Sequence, residues 1–182
     1  MRLNIIRGNH SGRLPILLGE LETQGITDYM MWQGLFLPSI KESINRSHKQ
    51  IIEWAYENDL EEVCICEDDL HFFDKGAWDF YMSQKPKDYS IYFGMIFLGE
   101  IDMENRVKNF TGMTIYCVHK KFYPIFLSVP DDDHIDVLLS KTKGDFYVCN
   151  PFIATQHSGI SSNTGKFETY DRLLSGRPIF KA

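Results

Sequence analysis

Residues Cys64 to Phe72 read Cys-Ile-Cys-Glu-Asp-Asp-Leu-His-Phe, in which a short apolar run passes directly into three carboxylates. Strand side chains alternate faces, so Glu67 and Asp69 are expected to project together, about 7 Å apart at the backbone, with Asp68 pointing the other way. Two carboxylates about 5 Å apart at an effective dielectric near 20 repel by roughly 3 kcal/mol. A cation held between them removes that repulsion. A solvated acidic turn has the same three letters, so the elements that position the segment must decide between the two.

Those elements alternate strand and helix. Leu3 to Ile6 is a short apolar run, followed by the polar loop Arg7-Gly8-Asn9-His10-Ser11-Gly12 and by Leu14, Leu17, Leu18 and Leu21 at helical spacing. Pro15 suits the first helical turn, Ser11 is an N-cap candidate and Gly25 a helix stop. Tyr29 to Trp32 can be a second strand. Ile44, His48, Ile51, Ile52 and Ala55 mark one face of a helix that starts near Ser39 or Ser43 and frays around Asn58. Val63 to Cys66 follows without polar alternation, as suits a parallel strand buried on both faces, and the carboxylates lie at its C-terminal end. In open α/β sheets ligands bind at that edge, which favours a functional reading of Glu67 to Asp69. Further on, Trp78 to Tyr81 reads as a short helix and Tyr89 to Leu98 as a bent strand or strand pair broken at Gly94. Met113 to Val118 reads as a strand, Phe122 to Leu127 and Ile135 to Leu139 as helices, and Phe146 to Cys149 as the last clear strand. Residues 151–182 mix turn formers, including Ser162 and Asn163, with Phe152, Phe167 and Tyr170, and are expected to pack irregularly over the body.

A chain of 182 residues that is 43% hydrophobic and 14% aromatic can bury the core of a single domain, 1–182. A net charge of −6 argues against a phosphate-neutralising surface for nucleic acid. The longest apolar runs fall far short of the roughly 20 residues that span a bilayer. The expectation is therefore a cytoplasmic protein, with peripheral association at the inner face of the membrane left open, as is the oligomeric state. Cys64, Cys66, Cys117 and Cys149 lack the paired spacing of a zinc site, and Cys64 and Cys66, on one face of an apolar strand, are expected to be reduced, small buried hydrophobes.

The order of four segments, Asn4-Ile5-Ile6-Arg7, Ser47-His48-Lys49, Cys66-Glu67-Asp68-Asp69-Leu70 and Thr111-Gly112-Met113-Thr114-Ile115-Tyr116, resembles glycosyltransferase family 25, the lipopolysaccharide and lipooligosaccharide glycosyltransferases. Ile135-Asp136-Val137 would match a later Val-Asp segment of that family. The resemblance covers about Leu3 to Ser161. Arg13 lies two residues later than the family's corresponding arginine, and the chain is short for the family. What the resemblance implies is a GT-A-like, Rossmann-type three-layer α/β/α sandwich with a mostly parallel central sheet. It also implies a UDP-sugar donor, a saccharide or lipid-linked saccharide acceptor of the cell envelope, and inverting transfer of a hexose such as galactose. A departing diphosphate needs its charge neutralised, and Mn2+ or Mg2+ suits oxygen ligands.

On this reading Glu67 and Asp69 hold the metal, with His157 as a late additional ligand. Asp136 is the candidate base, which an inverting displacement requires. Asn4, Arg7, Arg13, Ser47, His48, Asp68, Thr111 and Gly112 are candidates for the donor cleft. Each has a plainer role as well: an exposed arginine for Arg7 and Arg13, a core histidine for His48, a loop histidine for His157, a cap for Asp68 and Asp136. Two rival classes are a non-catalytic nucleotide-sugar or glycan-binding module of the same fold and a metal-dependent phosphohydrolase. No nucleophile motif supports the latter.

Overall fold

In a computed structural model of the chain, residues 1–10, 12–161 and 165–182 are described. The first half runs β1 (Leu3–Arg7), α1 (Arg13–Thr23), β2 (Tyr29–Gln33), α2 (Ile40–Glu57) and β3 (Glu62–Glu67). It continues through β4 (Leu70–Phe72), α3 (Ala77–Gln84), β5 (Ile91–Phe93), β6 (Leu98–Ile101), β7 (Val107–Thr111) and β8 (Ile115–His119). The last part comprises α4 (Tyr123–Ser128), α5 (Ile135–Ser140), β9 (Phe146–Val148), β10 (Ala154–Gln156), β11 (Gly159–Ile160) and β12 (Phe167–Glu168). The helix expected from Ser39 begins there, with Ser39 Oγ accepting from Glu42 N at 3.4 Å, and it ends at Asn58. The proposed N-cap Ser11, like the turn formers Ser162 and Asn163, lies outside the described residues.

The central sheet has the order β2-β1-β3-β8-β5-β9, and only β8 runs antiparallel to its neighbours. Alternation along its strands divides the core in two. Leu3, Ile5, Cys64, Cys66, Tyr92, Ile115 and Cys117 face Leu17 and Leu21 of α1 and Trp78 and Tyr81 of α3. Ile6, Val63, Ile65, Ile91, Phe93, Tyr116 and Val118 face Ile51, Ile52 and Ala55 of α2, with Phe126, Ile135 and Leu139 of α4 and α5. The result is a three-layer α/β/α arrangement, because each strand must bury both of its faces. Among the described residues no helix is long and apolar enough to cross a membrane.

Three features depart from the sequence reading. Of the two readings of Tyr89 to Leu98, the separate strands on either side of Gly94 hold, as β5 and the start of β6, and the bent strand does not; the strand that pairs with β6 was not expected. The chain after Gly94 turns away into a β6–β7 hairpin, and a Cβ at Gly94 would meet the Ile115 side chain at 2.5 Å. The segment 151–182 contains β10, which pairs antiparallel with β4, and the short ladder β11–β12. Cys64 is not reduced as expected: it forms a disulfide with Cys117, while Cys66 and Cys149 stay free and buried. The physical reason is register, since β3 and β8 pair with Cys64 directly opposite Cys117.

That bond closes a loop with a sequence separation of 53, which removes roughly 4 kcal/mol of unfolded-chain entropy. Removing it, by Cys64→Ala with Cys117→Ala or by reductant, should lower the unfolding free energy in urea by about 2–4 kcal/mol. Thiol titration of the denatured protein should find Cys66 and Cys149 reactive before reduction and all four cysteines after it. Equal stability of oxidised and reduced protein would contradict the bond's role.

Candidate functional site

Strands β1, β2 and β3 are parallel, so Arg7, Gln33 and Glu67 end at one edge of the sheet. The chain passes from β1 outward to β2, then returns past β1 to β3, so the strand order reverses between β1 and β3. Connections at such a switch point diverge to opposite faces and leave a crevice. A cleft of about 620 Å³ lies there, lined by the end of β3, the loop after β1, residues 34–37, Thr111 to Met113 and His134 to Val137.

Strand β3 stops at Glu67, so strict alternation does not carry through the next two residues. Asp68 and Asp69 instead converge on one guanidinium: Arg13 Nη1 lies 3.0 Å from Asp68 Oδ1 and 3.0 Å from Asp69 Oδ2. Asp68 Oδ2 accepts from Gly8 N at 2.7 Å, which fixes the loop after β1. Arg13 Nη2 donates to Ile160 O at 3.0 Å. Burial opposes the Arg13 charge, but Asp69, Asp68 and Glu67 outweigh it and hold the guanidinium above its ordinary value. Asp69 is itself buried, and its Oδ1 has no hydrogen-bond partner. Burial and then the Glu67 carboxylate push its pKa up to about 8, with Arg13 pulling the other way and losing. Three carboxyl groups face one guanidinium, and in the metal-free protein the crowding is relieved by Asp69, which holds its proton up to about pH 8.

Glu67 is partly exposed. Its Oε1 lies 3.4 Å from His48 Nε2, and its Oε2 accepts from Gln156 Nε2 at 3.1 Å. His48, buried on α2, pairs through Nδ1 with Tyr116 Oη at 2.7 Å. Burial, then Glu67, raises the Tyr116 phenol well above its ordinary value, which keeps it protonated beside His48 Nδ1. Ser47 Oγ donates to Ser43 O at 2.6 Å and accepts from Leu35 N at 2.8 Å, so it positions the cleft-lining segment at 34–37. Across the cleft, Asp136 Oδ2 accepts from Gly112 N at 2.7 Å and Oδ1 from Val137 N at 2.8 Å. Gly112 has φ +87°, and a Cβ there would meet the Phe97 ring at 2.5 Å, so glycine serves the close approach of Phe97. Thr111 lines the cleft beside it.

The structure thus brings Glu67, Asp68, Asp69, Arg13, Ser47, His48, Thr111, Gly112 and Asp136 around one cleft. Three other candidates lie elsewhere. Asn4 is buried in the sheet, where Nδ2 donates to Cys64 O at 3.1 Å and Oδ1 accepts from Trp32 Nε1 at 3.0 Å. Arg7 is exposed outside the cleft lining. His157 gives its backbone N–H to Asp69 O at 2.7 Å, but its ring turns toward Glu20 and His71. The sequence reading also missed Gln156, Phe97 and Tyr170. Tyr170 stacks on Phe97 at 5.0 Å, and burial, then Asp69 and Glu67, raises its phenol to about 12. No local pattern marks these residues, because long-range folding of the C-terminal segment delivers Gln156 and Tyr170.

Comparison with solved structures bears on the fold. A197 from STIV matches with a TM-score of 0.58 at 14% identity, over 92% of this chain and 93% of the other. A glycosyltransferase involved in the glycosylation of the major capsid of PBCV-1 matches with a TM-score of 0.51 at 13% identity, over 83% of each chain. HddC from Yersinia pseudotuberculosis matches with a TM-score of 0.50 at 13% identity, over 81% of this chain and 89% of its own. No protein-family model and no curated protein sequence matches. At these identities the likeness shows the fold, which is GT-A-like.

Asp69 gives a pH prediction for the metal-free protein. Its folded pKa is about 8 against an ordinary 3.8, so between those values the folded chain keeps a proton that the unfolded chain has lost. The associated stability is complete below about pH 4 and is lost as pH rises to about 8. Urea unfolding in chelator should therefore find Asp69→Asn gaining stability relative to wild type between pH 5 and pH 8. A parallel pH course for the two proteins would contradict the raised value.

Proposed function

We propose that the chain is a metal-dependent glycosyltransferase, a single-domain relative of glycosyltransferase family 25, that moves a hexose from a UDP-sugar to a saccharide acceptor with inversion. The observation that carries this reading is the acidic end of β3, where Asp69 presents a buried, unpartnered Oδ1 beside Glu67. An orphaned carboxyl oxygen whose proton is held only by burial and by a neighbouring carboxylate fits a hard divalent cation, which would displace that proton. Glu67 and Asp69 would hold Mn2+ or Mg2+, and the ion would supply charge neutralisation for the departing diphosphate. The cleft volume suits a ligand of nucleotide-sugar size. The capsid glycosyltransferase shares the fold, and HddC has also been solved complexed with GMP-PN.

In this reading Arg13 adds a positive charge at the nucleotide side, and His48 orients Glu67 through Nε2. Asp136 is the base. Its two backbone hydrogen bonds fix the carboxylate at the cleft wall while leaving each oxygen a further lone pair for an acceptor hydroxyl. Galactose is the leading hexose and a lipopolysaccharide-type glycan the acceptor, met at the cytoplasmic face of the membrane. Leu35, Phe36, Leu37 and Ile40 give the cleft an exposed apolar mouth on which a lipid-linked acceptor could rest.

A second reading has one specific observation behind it. Arg13 already pairs with both aspartates, as it would in a nucleotide-sugar-binding module that has replaced the cation by a guanidinium. UDP titration with and without Mn2+ separates the two. The transferase reading expects Mn2+-dependent binding that Asp69→Asn weakens at least tenfold. It also expects Asp136→Asn to keep UDP affinity while turnover falls by about 10²–10⁴. Metal-independent UDP binding without transfer or donor hydrolysis would favour the module. No UDP binding by folded protein would overturn both.

A further inference from the structure

We infer that Glu20, His71 and His157 form a second cation site, for a zinc-class divalent ion, separate from the donor cleft and independent of the function proposed above. One ligand atom from each residue lies within 4.8 Å of the others. His71 Nδ1 is 2.7 Å and His157 Nε2 3.2 Å from the same atom, Glu20 Oε1. The two imidazole rings stand 4.5 Å apart at 41°.

The backbone builds this arrangement. β4 and β10 pair antiparallel with His71 opposite Thr155, and His157 N continues the ladder by donating to Asp69 O. Residues 71 and 157 are therefore diagonal neighbours on one face, where side chains reach each other. α1 lays Glu20 across that face, and Phe72 N donates to its Oε2 at 3.1 Å, which leaves Oε1 directed at both rings. Outer hydrogen bonds of this kind orient metal ligands.

His157 Nε2 is buried and, although near Glu20, makes no aligned hydrogen bond, so a buried ring nitrogen is aimed at the centre without a partner. Buried ring nitrogens are ordinarily satisfied, and a bound ion satisfies this one. Tetrahedral zinc with bonds of about 2.0–2.1 Å requires ligand atoms roughly 3.3 Å apart. The Glu20–His157 spacing of 3.2 Å meets this, whereas His71 Nδ1, hydrogen-bonded at 2.7 Å from Glu20 Oε1, would draw back by roughly 0.6 Å as the ion takes the place of its proton.

Two imidazoles and one carboxylate select a borderline ion such as Zn2+ or Co2+ over the Mn2+ or Mg2+ suited to an all-oxygen site. Three protein ligands leave a fourth position for water. The ion would clamp α1 to the β4–β10 pair directly behind Asp69, since the same segments carry Arg13 and the His157–Asp69 backbone bond.

The test uses the full chain stripped with chelator. Zn2+ titration by calorimetry should give one tight equivalent and raise Tm. Co2+ should produce the intense visible bands of a tetrahedral nitrogen–oxygen site. His71→Gln, which keeps a donor for Glu20, and His71→Ala with His157→Ala should each weaken Zn2+ binding at least a hundredfold, while Asp69→Asn should leave it in place. Loss of Zn2+ binding in Asp69→Asn, unchanged binding in the histidine variants, or no Zn2+ binding by folded wild type would each overturn the assignment. If the double variant fails to fold, His71→Gln and the wild-type Co2+ spectrum decide. A weak octahedral spectrum counts against the site.

Discussion

At the end of β3 three carboxyl groups crowd a single guanidinium, and the elements around the cleft are tied to that cluster. Asp68 accepts the Gly8 amide and so fixes the loop leaving β1. Arg13 joins the first residue of α1 to both aspartates and, through Ile160 O, to the C-terminal segment. Burying charges without full pairing is unfavourable by several kcal/mol per ion, so the cluster persists only because the surrounding fold is strong enough to hold it. Asp69 concentrates the cost, with one oxygen on Arg13 and the other buried without a partner. A group that destabilises the fold yet sits where α/β sheets bind ligands is what a functional site is expected to contain.

The two-sided core supplies the compensating stability. Because β1, β3, β5 and β8 alternate between the α1–α3 side and the α2–α4–α5 side, every residue of β3 from Val63 to Cys66 is buried. The Cys64–Cys117 bond adds a covalent tie between β3 and its antiparallel neighbour, two residues before Cys66 delivers the chain to the acidic turn. The same rigidity positions Glu67, because His48 reaches it from α2 while Tyr116 on β8 orients His48. Core packing and site geometry share residues here. His48 and Tyr116 belong to both.

Much of this was legible before any coordinates. The apolar run of β3 announced a strand buried on both faces, and the strand–helix alternation announced the α/β class. Ser39 with the Ile51, Ile52 and Ala55 spacing located α2 to its cap. These features are local, so periodicity and capping chemistry reveal them. The β6–β7 hairpin was missed because its strands alternate only weakly, with little of β6 buried. The Cys64–Cys117 pairing depends on the register of two strands far apart in sequence, which no spacing rule conveys. Asp68 was expected to face away from Asp69, but β3 ends at Glu67, two residues earlier than that argument needs, and the turn brings both onto Arg13.

From the sequence alone came the types of chemistry available: an acidic strand end, a histidine on a helix face, an arginine after the first strand and an aspartate at the start of a short helix. Tertiary structure decided which of these meet. Asn4 went to the sheet interior, where its amide bonds Cys64 O and the Trp32 indole, and His157 went to Glu20 and His71. Gln156 and Tyr170 came to the cleft from the C-terminal segment. The reason is one of range. Residue type and periodicity act over a few positions, whereas a site's partners are chosen by strand register and by which faces pack together, and those are properties of the whole chain.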